Sequence, residues 1–399
     1  MKYLSRTEPL PIAVDLGNHT IKLLQLAERG GKLSVLAATQ LPPPAVDSKN
    51  PTPPIESVRE AMRQGDYRGQ SVVAVLPREW VQVKTLRLPV LPEADLKAAI
   101  EIESHRLFTT PAEGLSVRFV VAGEVKQGTE PKLETIVLAV EQKRIEDLLE
   151  RFNQIGLYVA AFDFEPCSIY RGISRFVRRK ADETEVNVLV DIGARQSQVV
   201  IGRGQEITFV KTIDIGGDKL SECVSRKLNI TQAEARSLRR RFGGGGAETD
   251  SVGKTVADAT RAAMGELAHE VSLCLRYYSV TFRGQRPARV RLLGGEANDR
   301  GLRDALATSL VVPVEIYEPL QGIDHELPVT PGQPLCEWGV AFGAAMRCLK
   351  STVSREHVPA FGRRQDDASL VEVVDLTASL QSAQSVAETA GKPREPDHA

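Results

Sequence analysis

An apolar run that ends in Asp, one further apolar residue and Gly occurs twice in this chain, about half its length apart. The first copy is VDLGNHTIK (14–22) and the second is VDIGARQS (190–197). In each, small polar residues follow the Gly and a second apolar run follows them, which is a strand–turn–strand pattern. One D-x-G after an apolar run is an ordinary hairpin signal. Two copies at matching places in two halves point to a repeated α/β architecture whose turns share a purpose.

The chemistry of such a turn suits phosphate. Gly17 and Gly193 tolerate backbone angles closed to other residues and let a ligand approach the main chain. Successive N–H groups at the turn form a concave anion site. Asn18, Thr20 and Ser197 add hydroxyl and amide donors, and Lys22 adds a point charge. Asp15 and Asp191 are oxygen-rich strand ends that can hold Mg²⁺ through its water shell. Facing one another, the two turns would clamp a triphosphate from both sides.

At 399 residues the chain has room for two or more domains. Its formal net charge of −1 argues against a dedicated nucleic-acid binder, which carries a basic excess. The five cysteines are dispersed with no CxxC pair, the usage of a reducing cytosolic protein rather than a disulfide framework. The six histidines show no metal-ligand spacing, so no transition-metal site is expected. The N-terminus has no signal-peptide core, and no run reaches the ~18 apolar residues of a membrane span. Any membrane association would therefore come through a partner.

Along the chain, strand-like runs alternate with turns up to LPPPAVDSKNPTPP (41–54), a surface connection. After the buried strand SVVAVL, a helix over 92–108 begins at Pro92 and places Leu96, Ile100 and Leu107 on one face. Two strands and the helix KRIEDLLERFNQIG follow, so 86–160 reads as a small α+β insert within a first lobe at 10–185. A second lobe over 186–349 restarts the strand pattern. It continues through helices at roughly 217–242 and 252–280, where Met264, Leu267, Val271 and Cys274 recur at core spacing. Residues 350–399 read as a disordered tail, with LVEVVDLTASL (370–380) able to fold on a partner. The basic clusters RFVRRK and RSLRRRF read as solvated helix faces.

A third element, RVRLLGGEANDRGL, is strand, Gly-Gly, helix, which lets the backbone come close to a flat ligand such as a nucleoside. With these three pieces in this order the chain resembles the actin-like ATPase superfamily. Within it, the insert block TLRLPVLPEADLKAAIEIESHRLFTTPAE and the segments AAFDFEPCSIYRG, ITFVKTIDIGGDKLSECV and CEWGVAFGAAM are similar to the PilM family of type IV pilus assembly.

The resemblance implies a two-lobed α/β fold with ATP and Mg²⁺ in the interlobe cleft. It also implies a cytoplasmic scaffold held at the inner membrane by a short cytoplasmic peptide of a PilN-like protein, docked in a groove that involves the insert. Pilus motor components and further copies of the chain are additional partners on the same ground. Nucleotide contacts would come from Asp15, Gly17, Asn18, His19, Thr20 and Lys22 in the first loop. In the second loop they would come from Asp191, Gly193, Ala194, Arg195 and Ser197. Gly216, Gly217, Arg239, Glu270, Gly294, Gly295 and Glu296 would surround the nucleoside. Asp163 and Glu165, in FDFEP, are the candidates to orient water in a weak ATPase reaction.

The chain departs from the family pattern at His19, at Arg195 and at Arg236, where an acid is usual. A sugar-type kinase would need a substrate-binding loop and a free catalytic Asp. A cell-division adaptor like FtsA would end in an amphipathic helix, unlike GKPREPDHA here.

Overall fold

The computed structural model describes residues 8–41, 55–108, 114–245, 250–282, 286–325, 327 and 335–349. The expected tail at 350–399, its segment 370–380 and most of the Pro-rich connection lie outside these residues.

The chain opens with β1 (Glu8–Pro9), β2 (Ile12–Leu16), β3 (Ile21–Arg29) and β4 (Lys32–Leu41), followed by α1 (Ile55–Gln64) and β5 (Ser71–Val75). Next come β6 (Gln82–Pro89), α2 (Glu93–Leu107), β7 (Leu115–Gln127), β8 (Glu130–Glu141) and α3 (Gln142–Gln154). The chain returns through β9 (Tyr158–Asp163) and α4 (Glu165–Ser174). The second half begins with β10 (Val186–Ile192), β11 (Ser197–Arg203) and β12 (Glu206–Ile213). It goes on through α5 (Gly217–Leu228), α6 (Gln232–Gly243) and α7 (Ser251–Phe282). It closes with β13 (Val290–Leu293), α8 (Arg300–Ser309), β14 (Val314–Ile316) and α9 (Gly339–Ala345).

The two halves repeat one sheet. In the first, β3 pairs antiparallel with β2 and β4, and β2, β5 and β9 run parallel. In the second, the order β12-β11-β10-β13-β14 has the same antiparallel meander joined to the same parallel set. Strands β2, β5 and β10 are buried on both faces and read as near-continuous apolar runs, as sheets covered by helices on both sides require. In such sheets ligands bind beyond the carboxyl ends of the parallel strands. Asp15, Arg78, Glu165, Asp191 and Gly294 all lie at those ends.

The insert is a separate three-stranded sheet, β6-β8-β7, whose outer face closes on α2 through Leu88, Leu96, Ile100, Phe108 and Val137. Helix α3 behaves differently: Ile145, Leu148 and Phe152 pack into the main core. The insert sheet spans Gln82–Glu141, and its inner face, through Val120, Ile136 and Leu138, joins the same main core as α3. The expected helix at 217–242 is two helices. Asn229 takes a left-handed conformation at the C-terminus of α5 (φ 53°). Thr231 and Glu234 then form a capping box that starts α6. Both signals stand in the sequence LNITQAE.

Candidate functional site

Between the two sheets lies a cleft of about 650 Å³. Asp15 is the next-to-last residue of β2 and Asp191 of β10, so each β-strand delivers its carboxylate to the same opening from a different lobe. The turns after them face one another: Gly17, Asn18, His19 and Thr20 on one side, Gly193, Ala194 and Arg195 on the other. Lys22 extends beneath the first turn, 3.2 Å from the Thr20 hydroxyl and 3.9 Å from Asp15. Gly294 and Gly295 close the third side with Glu296. Gly294 needs its lack of side chain: it sits at φ +90°, and a Cβ there would run into the Asp191 carboxylate and the Ile192 carbonyl.

Several expected residues stand elsewhere. Ser197 is fully buried and donates to the Ile215 carbonyl (2.6 Å), so it shapes the second turn rather than facing a ligand. Gly216 and Gly217 pack behind that turn, against the main chain of 193–195 and the Glu296 side chain. Arg239 lines the cleft but is bound to Glu296 (2.5 Å) and to the Gly217 carbonyl (2.8 Å). Glu270, on α7, does not line the cleft. Nor does Asp163. It is fully buried and accepts from Arg171 (2.6 Å), Arg347 (3.0 Å), Ser168 (2.8 Å) and the Phe164 amide (3.0 Å). Burial alone would push its carboxyl up; the two guanidiniums outweigh burial and hold it below the usual range. Of the two candidate acids, only Glu165 reaches the cleft.

Arg78 escaped the sequence reading. It follows β5 in a 3-10 turn, Arg78–Trp80, anchored by the buried Trp80. Its Nε donates to Glu165 Oε2 (2.7 Å), its Nη1 to the Gln196 carbonyl (2.5 Å), and its Nη2 contacts both Glu165 and Asp191. One signal was available: an Arg directly after a buried strand, at the end of the sheet where both Asp-x-Gly turns emerge. Burial raises Asp15 to about 6, with Lys22 and Arg78 opposing and Glu165 adding. Asp191 is raised by burial and then by Glu165 and Asp15, against Arg78. Glu165 ends low because the Arg78 fork outweighs burial.

Other cross-lobe ties ring the mouth. Glu79 accepts from Asn18 (3.3 Å) in the first lobe and from Arg195 (3.3 Å) in the second. Asp218, at the start of α5, meets His19 (3.1 Å) and Arg236 (3.0 Å). Two departures from the family pattern, His19 and Arg236, thus share one carboxylate. Among the described residues no three His, Cys, Asp or Glu side chains are grouped to hold a metal ion. The place expected for Mg²⁺, between Asp15 and Asp191, meets a guanidinium. As they stand, these residues do not fit a divalent ion.

Two lobes of one sheet order, each ending in an Asp-x-Gly turn at a common cleft closed by a strand–Gly-Gly turn, define an actin-like ATPase fold. The profile of the family described as type IV pilus assembly protein PilM matches residues 13–349. The chain belongs to the PilM family. A solved PilM-PilN type IV pilus biogenesis complex superposes with a TM-score of 0.71 at 21% identity, covering 86% of this chain and 99% of that one. The cell-division protein FtsA of Streptococcus pneumoniae is 20% identical over 255 residues, 58% of this chain and 55% of FtsA. FtsA of Bacillus subtilis is 22% identical over 204 residues, 50% of this chain and 38% of FtsA. The chain thus spans about half or less of the length of these curated relatives. Among the described residues no helix is long and apolar enough to cross a membrane.

Proposed function

We propose that the chain binds ATP between its lobes and serves as a cytoplasmic scaffold of type IV pilus assembly. In this reading it is held at the inner membrane by the cytoplasmic peptide of a PilN-like protein. The observation that carries the nucleotide part is the pair of Asp-x-Gly turns, one per lobe, opposed across a cleft with Gly294 and Gly295 at its side. The partner part is supported by family membership and by likeness to PilM in a PilM-PilN complex. An extended peptide laid on a folded groove is an established recognition mode, and the insert sheet β6-β8-β7 is where the chain adds to its two repeated lobes.

Efficient hydrolysis is not part of the proposal. A residue that orients attacking water needs a free acceptor, and both oxygens of Glu165 are engaged by Arg78. The same engagement disfavours a kinase, which needs an available base.

The test is calorimetric titration of the intact protein with ATP, beside a Lys22→Ala variant that removes the cation beneath the first turn. One-site binding that weakens about tenfold or more in the variant supports the reading; no binding by the intact protein refutes its nucleotide part. Fluorescence anisotropy with a labelled PilN-like N-terminal peptide tests the partner, and a missing signal with folded protein refutes it.

A further inference from the structure

We propose that Arg78 is the built-in cation of this cleft: its guanidinium takes the place of a divalent metal ion between the two turns, so that nucleotide binds without one. The inference rests on the nucleotide reading for its ligand, but the placement of Arg78 stands on its own geometry. The side chain is 9% exposed and spans the lobes. It reaches Glu165 in the first lobe and Asp191 and the Gln196 carbonyl in the second. Gly193 lies alongside it, and a Cβ there would crowd the same Gln196 carbonyl that Arg78 binds, at 3.0 Å.

A guanidinium keeps its charge at every working pH and offers five donors in a fixed plane, which suits carboxylates and phosphate oxygens alike. Mg²⁺ needs near-octahedral oxygen ligands and retains several waters. It cannot collect Asp191 and Glu165 while Arg78 is bound to both, because the two cations would compete for the same lone pairs. A phosphate chain lying between the Gly17 and Gly193 turns meets Arg78 and Lys22 instead. Those two side chains supply positive charge against the three carboxylates Asp15, Glu165 and Asp191.

The experiment has two arms. In the first, ATP is titrated into wild type and Arg78→Gln in Mg²⁺ buffer and in EDTA. Wild type is expected to bind equally in both, within about threefold, while Arg78→Gln weakens about tenfold or more in EDTA and recovers with Mg²⁺. In the second arm Mn²⁺ alone is titrated and followed by the electron paramagnetic resonance of the free ion. Wild type is expected to show no stoichiometric site, Arg78→Gln one site, and Arg78→Gln/Asp191→Asn none.

A wild type that needs metal for ATP, or that binds Mn²⁺ itself, overturns the inference whether or not the variant folds. If wild type binds no ATP in either buffer, the nucleotide reading and metal-free nucleotide binding both fall. A Mn²⁺ site gained only in Arg78→Gln would then still establish Arg78 as the resident cation.

Discussion

Asp163 offers the clearest decision between a catalytic and a structural role, and Asp163→Ala is the perturbation. The carboxylate is fully buried on β9 and accepts from two arginines, one hydroxyl and one amide. Arg171 and Arg347 are themselves nearly buried, with side chains 14% and 10% exposed. Removing the acid leaves two guanidiniums in the interior without the anion they share. Breaking a buried pair in this way costs about 3–5 kcal/mol, a large part of the 5–15 kcal/mol typical of a folded domain. At about 2–4 °C per kcal/mol for a domain of 150–250 residues, the size of one lobe, the melting temperature of that lobe should fall by roughly 6–20 °C.

The pH dependence has a definite sign. The folded carboxyl titrates below its ordinary value, so the stability it contributes is complete above the unfolded value and lost as pH falls through the folded one. The difference between wild type and Asp163→Ala should therefore be full at neutral pH and narrow only below about pH 4. Differential scanning calorimetry at pH 7 and at about pH 2.5 reads both effects. A variant that melts like wild type yet loses ATP turnover would refute the structural account and return Asp163 to catalysis.

Three further perturbations follow from single contacts. Gly343→Ala puts a methyl against the Ser168 carbonyl where α9 crosses α4; backbone lies on both sides, so denaturant unfolding should show a loss of at least about 1–3 kcal/mol, and no loss would mean the helices part easily. Tyr277→Phe removes the hydroxyl that donates to buried Glu134 (2.6 Å) and ties α7 to the insert; about 1–3 kcal/mol should be lost, and limited proteolysis should cut the insert faster, an unchanged digest counting against the contact. Asp218→Asn breaks the tie with His19 and Arg236, all about a quarter exposed; urea unfolding should show less than about 1 kcal/mol, shrinking further in high salt, and a large salt-insensitive loss would mean the tie is buried in solution.

What the sequence made legible was periodic or local. The repeated Asp-x-Gly turns, the Gly-Gly after RVRLL and the core stripe Met264, Leu267, Val271 and Cys274 all stand where their patterns placed them. The misses have a common cause, since they depend on what meets what in space. Ser197 carries a hydroxyl at a phosphate-loop position, yet the partner of that hydroxyl is the carbonyl of Ile215, eighteen residues on. Asp163 and Glu165 are two residues apart, but β9 ends between them. One carboxylate turns into the arginine pair and the other begins α4 at the cleft. Arg78 bonds residues 87 and 113 positions away, and only the sheet order brings those together.

The insert and the cleft share one physical element of the second lobe, β12. At its C-terminal end Ile213, Asp214 and Ile215 back the second turn: Ser197 bonds the Ile215 carbonyl and Gln196 bonds Asp214 (2.8 Å). Along its length β12 packs on β6, β7 and β8, with Phe209 against Tyr277 at 5.4 Å between ring centroids. Tyr277 in turn holds Glu134, which also pairs with Arg87 (2.6 Å) on β6. β12 pairs with β11 from Ile213 to Phe209 without interruption, and a register shift at Ile201/Gly202 separates that ladder from its start at Glu206 and Ile207. Gln196, whose carbonyl Arg78 grips, immediately precedes the first residue of β11. Arg78 and the insert are thus connected through β11 and β12 as well as through the covalent connections at β6 and α3.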